Sequence, residues 1–480
     1  MSDIAEIPVD EQERPLPPPP PPIRSALTDG PILRTLLSLA WPNVIGLSAG
    51  ICVVIAETSY VGRLGVEALA AMALVFPTII LTMTMSGGAM GGAVASAIAR
   101  ALGAGNRERA GILAVHAMLI GISFGLVFML GMLVFGPKLL EMLGGRGDVL
   151  THAIAYTQVF FGGAVLPWLL NTMAGILRGT GNMKLPSFLI LNSAAWQIVL
   201  GGTLGLGLGP VPQLGMRGVA AGALIAYTMN IGIMSWYLFS GRARITLKLR
   251  GLRIQWAMFF DILKVGAIAC FSPLQSVLTI SIFTHMLAQF GTAILAGYGV
   301  GARLEFLLTS IAFSFGIACV PMVGMAIGAG RIARARRIAW TASVAAFVAV
   351  GAPACLVAIF PDLWVNMFTD SAAVRAASHQ YLSTVGPFYA FFGLATTMYF
   401  SSQGAAKVIG PVLAQTARLI YIAGIGWWLS THGASAQSFF WLAASSMVVL
   451  GLLSCSSVVL TRWGPRETKP AIRPALSIGD

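Results

Sequence analysis

Two acidic side chains stand where acids are least expected. Glu57 and Glu305 both lie deep inside long apolar runs. A charged group at mid-membrane costs about 2.5–3.5 kcal/mol on insertion scales, so each needs a physical reason to be there. Glu57 comes five residues before Gly62, roughly 7–8 Å below the outer end of a helix closing there. In hydrocarbon the neutral acid is the cheaper form, whereas an arriving cation favours the carboxylate. One carboxyl group can therefore exchange a proton for a cationic solute, the linkage that antiport requires. The structural alternative is a hydrogen-bonded glutamate that only fixes helix packing. Glu305 has two readings. Arg303 points to another face, but Arg418 on a later apolar run can approach, giving an ion pair that locks the second half of the chain. Otherwise Glu305 is a second coupling charge. His116 and His285 also sit in apolar runs, as proton relays or as histidines satisfied by backbone carbonyls. No nucleophile triad, metal-ligand set or phosphate loop accompanies these residues, so neither an enzyme nor a cofactor is expected.

The elements that must position these groups are membrane spans. Hydrophobic residues make up 57% of the 480-residue chain and charged ones 10%, against roughly 25% charged in soluble domains. That much apolar surface cannot be hidden in one aqueous core, so the solvent is the lipid bilayer. Apolar segments near 35–61, 68–99, 110–135, 152–177, 186–208 and 218–240 are followed by 260–288, 294–327, 338–360, 377–402, 409–429 and 437–461. Each is long enough to cross about 30 Å of hydrocarbon, and several exceed the ~20 residues needed, which predicts tilt or kinks. Pro42, Pro77, Pro167 and Pro273 are the candidate kink sites. The five cysteines lie inside these runs with no metal spacing and read as unpaired packing residues.

The chain also repeats itself. Arg63-Leu-Gly-Val-Glu67 precedes a long apolar stretch ending in Gly103-Ala-Gly105, and Gln289-Phe-Gly-Thr292 precedes one ending in Gly328-Ala-Gly330. Tyr156, Gly179 and Pro186 return as Tyr381, Gly404 and Pro411, each 225 positions later. Such repeats build many secondary transporters, with the solute path between the halves. Six spans per repeat is an even number, so the copies enter the membrane in the same orientation and are related by an axis along its normal. The fold class expected is an all-α integral membrane protein of two six-helix lobes.

Lysine and arginine orient the bundle. One set of alternate loops holds only Arg63, Lys138, Arg146, Arg217 and Arg375, while the other set and both tails hold the remainder of the basic loop residues, Arg178 among them. That asymmetry places both termini in the cytoplasm, and it accounts for the net charge of +13 without nucleic acid. The expected organisation is a proline-rich disordered tail over 1–30, a first lobe over 31–240, a basic linker over 241–259 on the inner leaflet, a second lobe over 260–462 and a tail over 463–480. The first tail has acids before Pro17–Pro22 rather than the basic start and apolar middle of a signal peptide.

Several motifs then look familiar in combination. They are Leu39-Ala-Trp-Pro42, Glu57-Thr-Ser-Tyr-Val-Gly-Arg-Leu-Gly65, the Gly103-Ala-Gly105 loop, Leu177-Arg-Gly-Thr-Gly-Asn-Met-Lys-Leu-Pro186, Gly207-Leu-Gly-Pro210, and Gln403-Gly404 with Pro411. From about residue 31 to 462 the chain resembles the multidrug and toxin extrusion (MATE) family of cation-coupled antiporters. The resemblance implies two lobes forming a V, alternating access, and bulky organic cations exchanged for protons or sodium, in a monomer of the inner membrane. It also implies a coupling role for Glu57, where many relatives carry aspartate. Relatives with that acid often have a second one on the fifth helix, four positions after an asparagine; here those positions are Gly201 and Gln197. Another subgroup has a glutamate roughly where Gln275 and Ser276 stand, and these two polar residues, with Thr58, Asn171 and Asn192, are further candidates for the cavity lining. With one carboxylate among the amides Gln197, Asn192 and Asn171 and the hydroxyl of Thr58, protons are favoured over sodium. Tyr60, Phe76, Met83, Tyr156, Trp168 and Phe283 are candidates for an adaptable cavity wall, since soft and aromatic side chains suit promiscuous binding. The rival reading is a flippase for a lipid-linked saccharide or other amphiphile, built on the same duplicated lobes.

Overall fold

The computed structural model describes residues 26–245, 247 and 254–464. Within lipid a backbone must satisfy its own hydrogen bonds, so the apolar runs fold as helices. In order they are α1 (Ile32–Leu64), α2 (Val66–Gly103), α3 (Arg107–Met142), α4 (147–179), α5 (Lys184–Leu206) and α6 (Gly215–Phe239). The second half gives α7 (Trp256–Ala288), α8 (Thr292–Gly328), α9 (Ile332–Ile359), α10 (372–404), α11 (Ile409–Thr431) and α12 (Ala436–Leu460). Corresponding helices start at offsets close to 225, as the repeat requires.

Two spans are broken at matching points. α4 consists of Gly147–Gly162 and Val165–Gly179, bent by 48°. α10 consists of Ala372–Val385, a 3-10 turn Gly386–Phe388, and Tyr389–Gly404. α7 breaks similarly at Cys270. Pro167 and Pro273 fall in the first turn after their breaks, where a missing N–H leaves no bond unmade. The helices continue through Pro42 and Pro77. α2 departs from regularity at its centre, widening to π-helical hydrogen bonding over Thr84–Met90. All five cysteines are free.

The lobes meet most tightly at the end carrying the basic loops. A Cβ on Gly103 of α2 would collide with the Met325 backbone of α8, and one on Gly328 of α8 with the Arg100 carbonyl of α2. Only glycine allows backbones this close. Each lobe also lends its first helix to the other. α1 packs Leu39 and Leu47 with Ile317 of α8, and the first half of α7 lies on α2, with Gly266 against Met90 and Ala93.

Ionic contacts hold both of these crossovers. Asp261 of α7 accepts from Arg100 of α2 at 3.1 Å, Arg109 of α3 at 3.1 Å and Lys264 at 2.7 Å. On the other side Arg331, just before α9, pairs with Asp29 at 2.5 Å, and Arg334 reaches the Gly30 carbonyl at 2.6 Å. Residues 26–30, assigned above to a disordered tail, are thus ordered, with a short helix at Ala26–Asp29. The Arg331 hydrogen bond holds the Asp29 carboxyl below its usual range. This contribution is present at neutral pH and is lost as pH falls through that lowered value. After α6 the basic stretch places Arg242 over the Trp236 ring and Arg244 within reach of the Thr180 carbonyl at 3.4 Å. It ends earlier than expected, because α7 begins at Trp256. Lys248, Arg250 and Arg253, like most of the proline-rich tail, lie outside the described residues.

Asp261→Asn removes the charge on which three cations converge. Arg100 is 15% exposed and Asp261 12%, so loss of this pair should destabilise the fold by on the order of 3 kcal/mol. Thermal unfolding followed by tryptophan fluorescence checks the value; an unchanged midpoint would make the cluster energetically idle.

Candidate functional site

The face of α1 turned to α5 carries Val53, Glu57, Tyr60 and Val61, all buried, at the i, i+4, i+7, i+8 spacing of a single helical stripe. Glu57 is 6% exposed, and Gln197 of α5 donates from Nε2 to its Oε1 at 2.8 Å. One turn further along α5, Gly201 and Gly202 receive the Tyr60 ring. A Cβ at Gly201 would stand 2.7 Å from the Tyr60 hydroxyl. The position where relatives place a second acid is therefore filled from α1 by a phenol. Among the described residues that buried hydroxyl has no hydrogen-bond partner. Tyr156 and Tyr227 also lie within reach of the Glu57 charge.

The other polar residues named from sequence do not converge on this pair. Asn192 donates to Asn230 at 3.0 Å, and Asn171 donates to Ser86 at 2.8 Å beside the π-helical turn of α2. Thr58 is exposed and bonds Val54 of its own helix at 2.8 Å. Gln275 donates to Thr416 at 2.6 Å and Gln415 donates to Ser276 at 2.9 Å, so these residues fasten α7 to α11. Phe76 meets Phe306 across the lobes at 6.3 Å, and Met83 lies beside Asn171. Tyr156, Trp168 and Phe283 are buried within the lobe cores, stacked or edged on Phe160, Phe124 and Tyr298 respectively.

The second lobe corrects one expectation. Among the described residues Glu305 makes no ion pair with Arg418. Tyr389 donates to Glu305 at 3.4 Å, while Arg418 is buried and donates to Ser446 at 3.3 Å. The two charges feel one another without touching. Arg303 does face elsewhere, over Phe368. His116 is held by backbone: its Nδ1 meets the Ile112 carbonyl at 2.8 Å and its Nε2 accepts from the Gln255 N–H at 3.0 Å. Both ring nitrogens are thus used in tying down the start of α7. His285 is exposed on α7.

One residue was missed. Arg178 was counted with the basic loops, yet its side chain turns back into the seam between the lobes and is only 5% exposed. The repeat held the available signal, because Arg178 corresponds to Gln403 at the offset of 225, a position inside the bundle.

The sequence matches the MatE family over residues 47–203 and 269–428, the core of both lobes. The chain belongs to the MatE family. Among relatives of the MatE chain is an FAD transporter of Shewanella oneidensis, 27% identical over 65% of this chain and 69% of its own length. Another is a probable multidrug resistance protein NorM of Deinococcus radiodurans, 26% identical over 88% of this chain and 94% of its own. In structure the chain resembles a MOP superfamily transporter of Pyrococcus furiosus, with a TM-score of 0.83, 22% identity, and 90% and 96% of the two chains covered. The two-lobed architecture derived from the repeat is therefore that of MatE proteins, and the chain is a multi-pass membrane protein.

Proposed function

We propose that this MatE chain is a secondary active transporter that exports organic cations and amphiphilic drugs by antiport with protons through alternating access, acting as a monomer in the cell membrane. The observation that carries the coupling assignment is the Glu57–Gln197 pair: a buried carboxyl group whose one hydrogen-bonding neighbour among the described residues is an uncharged amide. Sodium needs several hard oxygen ligands. Here the second acid is replaced by Gly201, and the space is taken by the Tyr60 phenol. A proton needs only the carboxyl group itself. The probable multidrug resistance protein named above supports the substrate class.

The test is uptake of ethidium into inverted vesicles. A pH gradient alone should drive accumulation and a sodium gradient alone should not; the reverse pattern would overturn proton coupling. Glu305, held by Tyr389, serves the second lobe as a positioning charge in this reading. Glu305→Gln should therefore lower the yield of folded protein more than transport per molecule.

A second reading concerns what is carried. The Shewanella relative is named an FAD transporter, so anionic amphiphiles, the lipid-linked saccharides considered above among them, are the competing cargo.

The basic end is taken to face the cytoplasm, in line with the charge asymmetry of the loops. Single cysteines at Ser240 and Thr431, in a cysteine-free background, check this. An impermeant maleimide applied to intact cells should label Thr431→Cys and leave Ser240→Cys unmodified. Labelling of the latter would invert the topology.

A further inference from the structure

Lys264 of α7 stands in unusual surroundings. Trp256, Phe260, Lys264 and Ala267 are all exposed, at the i, i+4, i+8, i+11 spacing of one side of a helix. The other members of this stripe are apolar, as befits a face turned to lipid. An ammonium group exposed among them needs an anion.

Asp261 meets part of that need and shapes the rest. Its carboxylate gathers Arg100, Arg109 and Lys264; with three cations on one anion, two positive charges are left over. Arg100 is turned inward and also donates to Ser96 of its own helix. Arg109 and Lys264 face outward, their side chains 47% and 42% exposed. Among the described residues Arg109 offers one guanidinium nitrogen to Asp261, and Lys264 meets the same carboxylate through its single ammonium nitrogen. Both therefore have donors to spare. The depth also suits a head group. Arg100 lies in the last turn of α2 and Arg109 in the first turn of α3, so the cluster sits where these helices leave the hydrocarbon.

We propose that Arg109 and Lys264 form a binding site for the phosphate of an anionic phospholipid, in the leaflet at the basic end. A phosphodiester has two free oxygens, and Asp261 holds two cations side by side to meet them. The apolar stripe around Lys264 carries the acyl chains, with Trp256 at its outer end as an interfacial anchor. Basic sites between membrane helices recognise lipid head groups on these terms. The surplus charge selects anionic lipids over zwitterionic ones. Arg109 belongs to the first lobe and Lys264 to the first helix of the second, so an occupied site reinforces the crossover that Asp261 holds.

Native mass spectrometry of the full-length protein tests this with neither gradient nor transported solute, so the result is independent of whether export is observed. The probes are phosphatidylglycerol and phosphatidylcholine with identical chains, supplied in equal amounts to protein in detergent. The wild type should retain phosphatidylglycerol in preference. Arg109→Gln combined with Lys264→Gln should weaken that binding by about tenfold or more, given what each basic residue contributes at an anionic surface. Lys184→Gln combined with Arg337→Gln removes the same charge from exposed positions outside the cluster and should leave the preference intact. An equal loss in this control would mean that the lipid follows overall charge, which would overturn the site. Glycerol phosphate, a head group without chains, should not displace the lipid at equal concentration. Displacement would assign the cluster to a soluble anion instead.

Should the double glutamine variant fail to purify as a monodisperse protein, Phe260→Glu provides the check. All the native charges stay, while a carboxylate four residues before Lys264 pairs with it along the exposed stripe. It takes the place of the phosphate, and the preference for phosphatidylglycerol should fall. Equal retention of the two lipids by the wild type would remove the site. So would an undiminished preference in Phe260→Glu or in the double glutamine variant.

Discussion

Glu57→Gln protein is expected to insert, purify and unfold like the wild type, yet to export ethidium no faster than vesicles lacking the protein. Glutamine keeps the length of the side chain and its capacity for hydrogen bonds, so the contact with Gln197 survives through the amide oxygen accepting from Nε2. What disappears is titration. If the carboxyl only fixed α1 against α5, the variant would retain transport. If it exchanges a proton for the solute, there is no partial activity to retain, because the free energy of the gradient no longer reaches the cation. Glu57→Asp should recover part of the rate while weakening the 2.8 Å contact with Gln197, since the carboxyl retreats by about one methylene. Full ethidium export by a monodisperse Glu57→Gln protein would remove Glu57 from the coupling site.

How far the sequence reached can be judged from particular residues. The helices, their order and their duplication were legible because lipid imposes one solution on a long apolar run, and because identical motifs recur at a fixed offset. Glu57 was legible for a related reason: an acid in hydrocarbon is a physical anomaly that composition alone exposes. Its partner Gln197 followed from family resemblance, and the structure places the two 2.8 Å apart. The rest depended on side-chain direction, which a one-dimensional pattern does not carry. Arg178 sits at a helix end beside a basic loop, so its sequence context matches that of a topological charge; only the fold shows it turning inward. Asn171 and Asn192 each prefer a nearer neighbour, Ser86 and Asn230, because a buried amide takes the closest complementary group. The role of Tyr60 was invisible for a subtler reason. It fills the gap left by a missing side chain at Gly201, and such compensation connects two helices that are far apart in the chain. The two acids also show where the repeat stops. Glu57 lies on the first helix of its lobe and Glu305 on the second, so the backbone is duplicated and the chemistry is not.

The second large effect is expected at the glycine seam. Gly103→Ala and Gly328→Ala should each shift the protein towards a state open at the basic end. In an isolated helix, alanine is the better residue by about 1 kcal/mol. Any destabilisation of this state must therefore come from across the seam rather than from within the helix. There, a Cβ at Gly103 meets backbone atoms of Met325, and a Cβ at Gly328 meets the Arg100 carbonyl and the Ala104 nitrogen. Backbone cannot rotate aside as a flexible side chain can, so the lobes must separate. The ion pairs around Asp261 and Asp29 would resist that separation, since each ties one lobe to the first helix of the other or to its approach. Combining Gly328→Ala with Asp261→Asn should consequently widen the seam more than either change alone. Spin labels on Gly105→Cys and Gly330→Cys, in the loops following α2 and α8, would report the spacing by pulsed electron resonance. The expected result is a new, longer distance in the glycine variants, accompanied by slower ethidium export because the closed state is now harder to regain. If the distance distribution stays that of the parent while the protein merely unfolds at a lower temperature, the seam is static packing and the gate lies elsewhere.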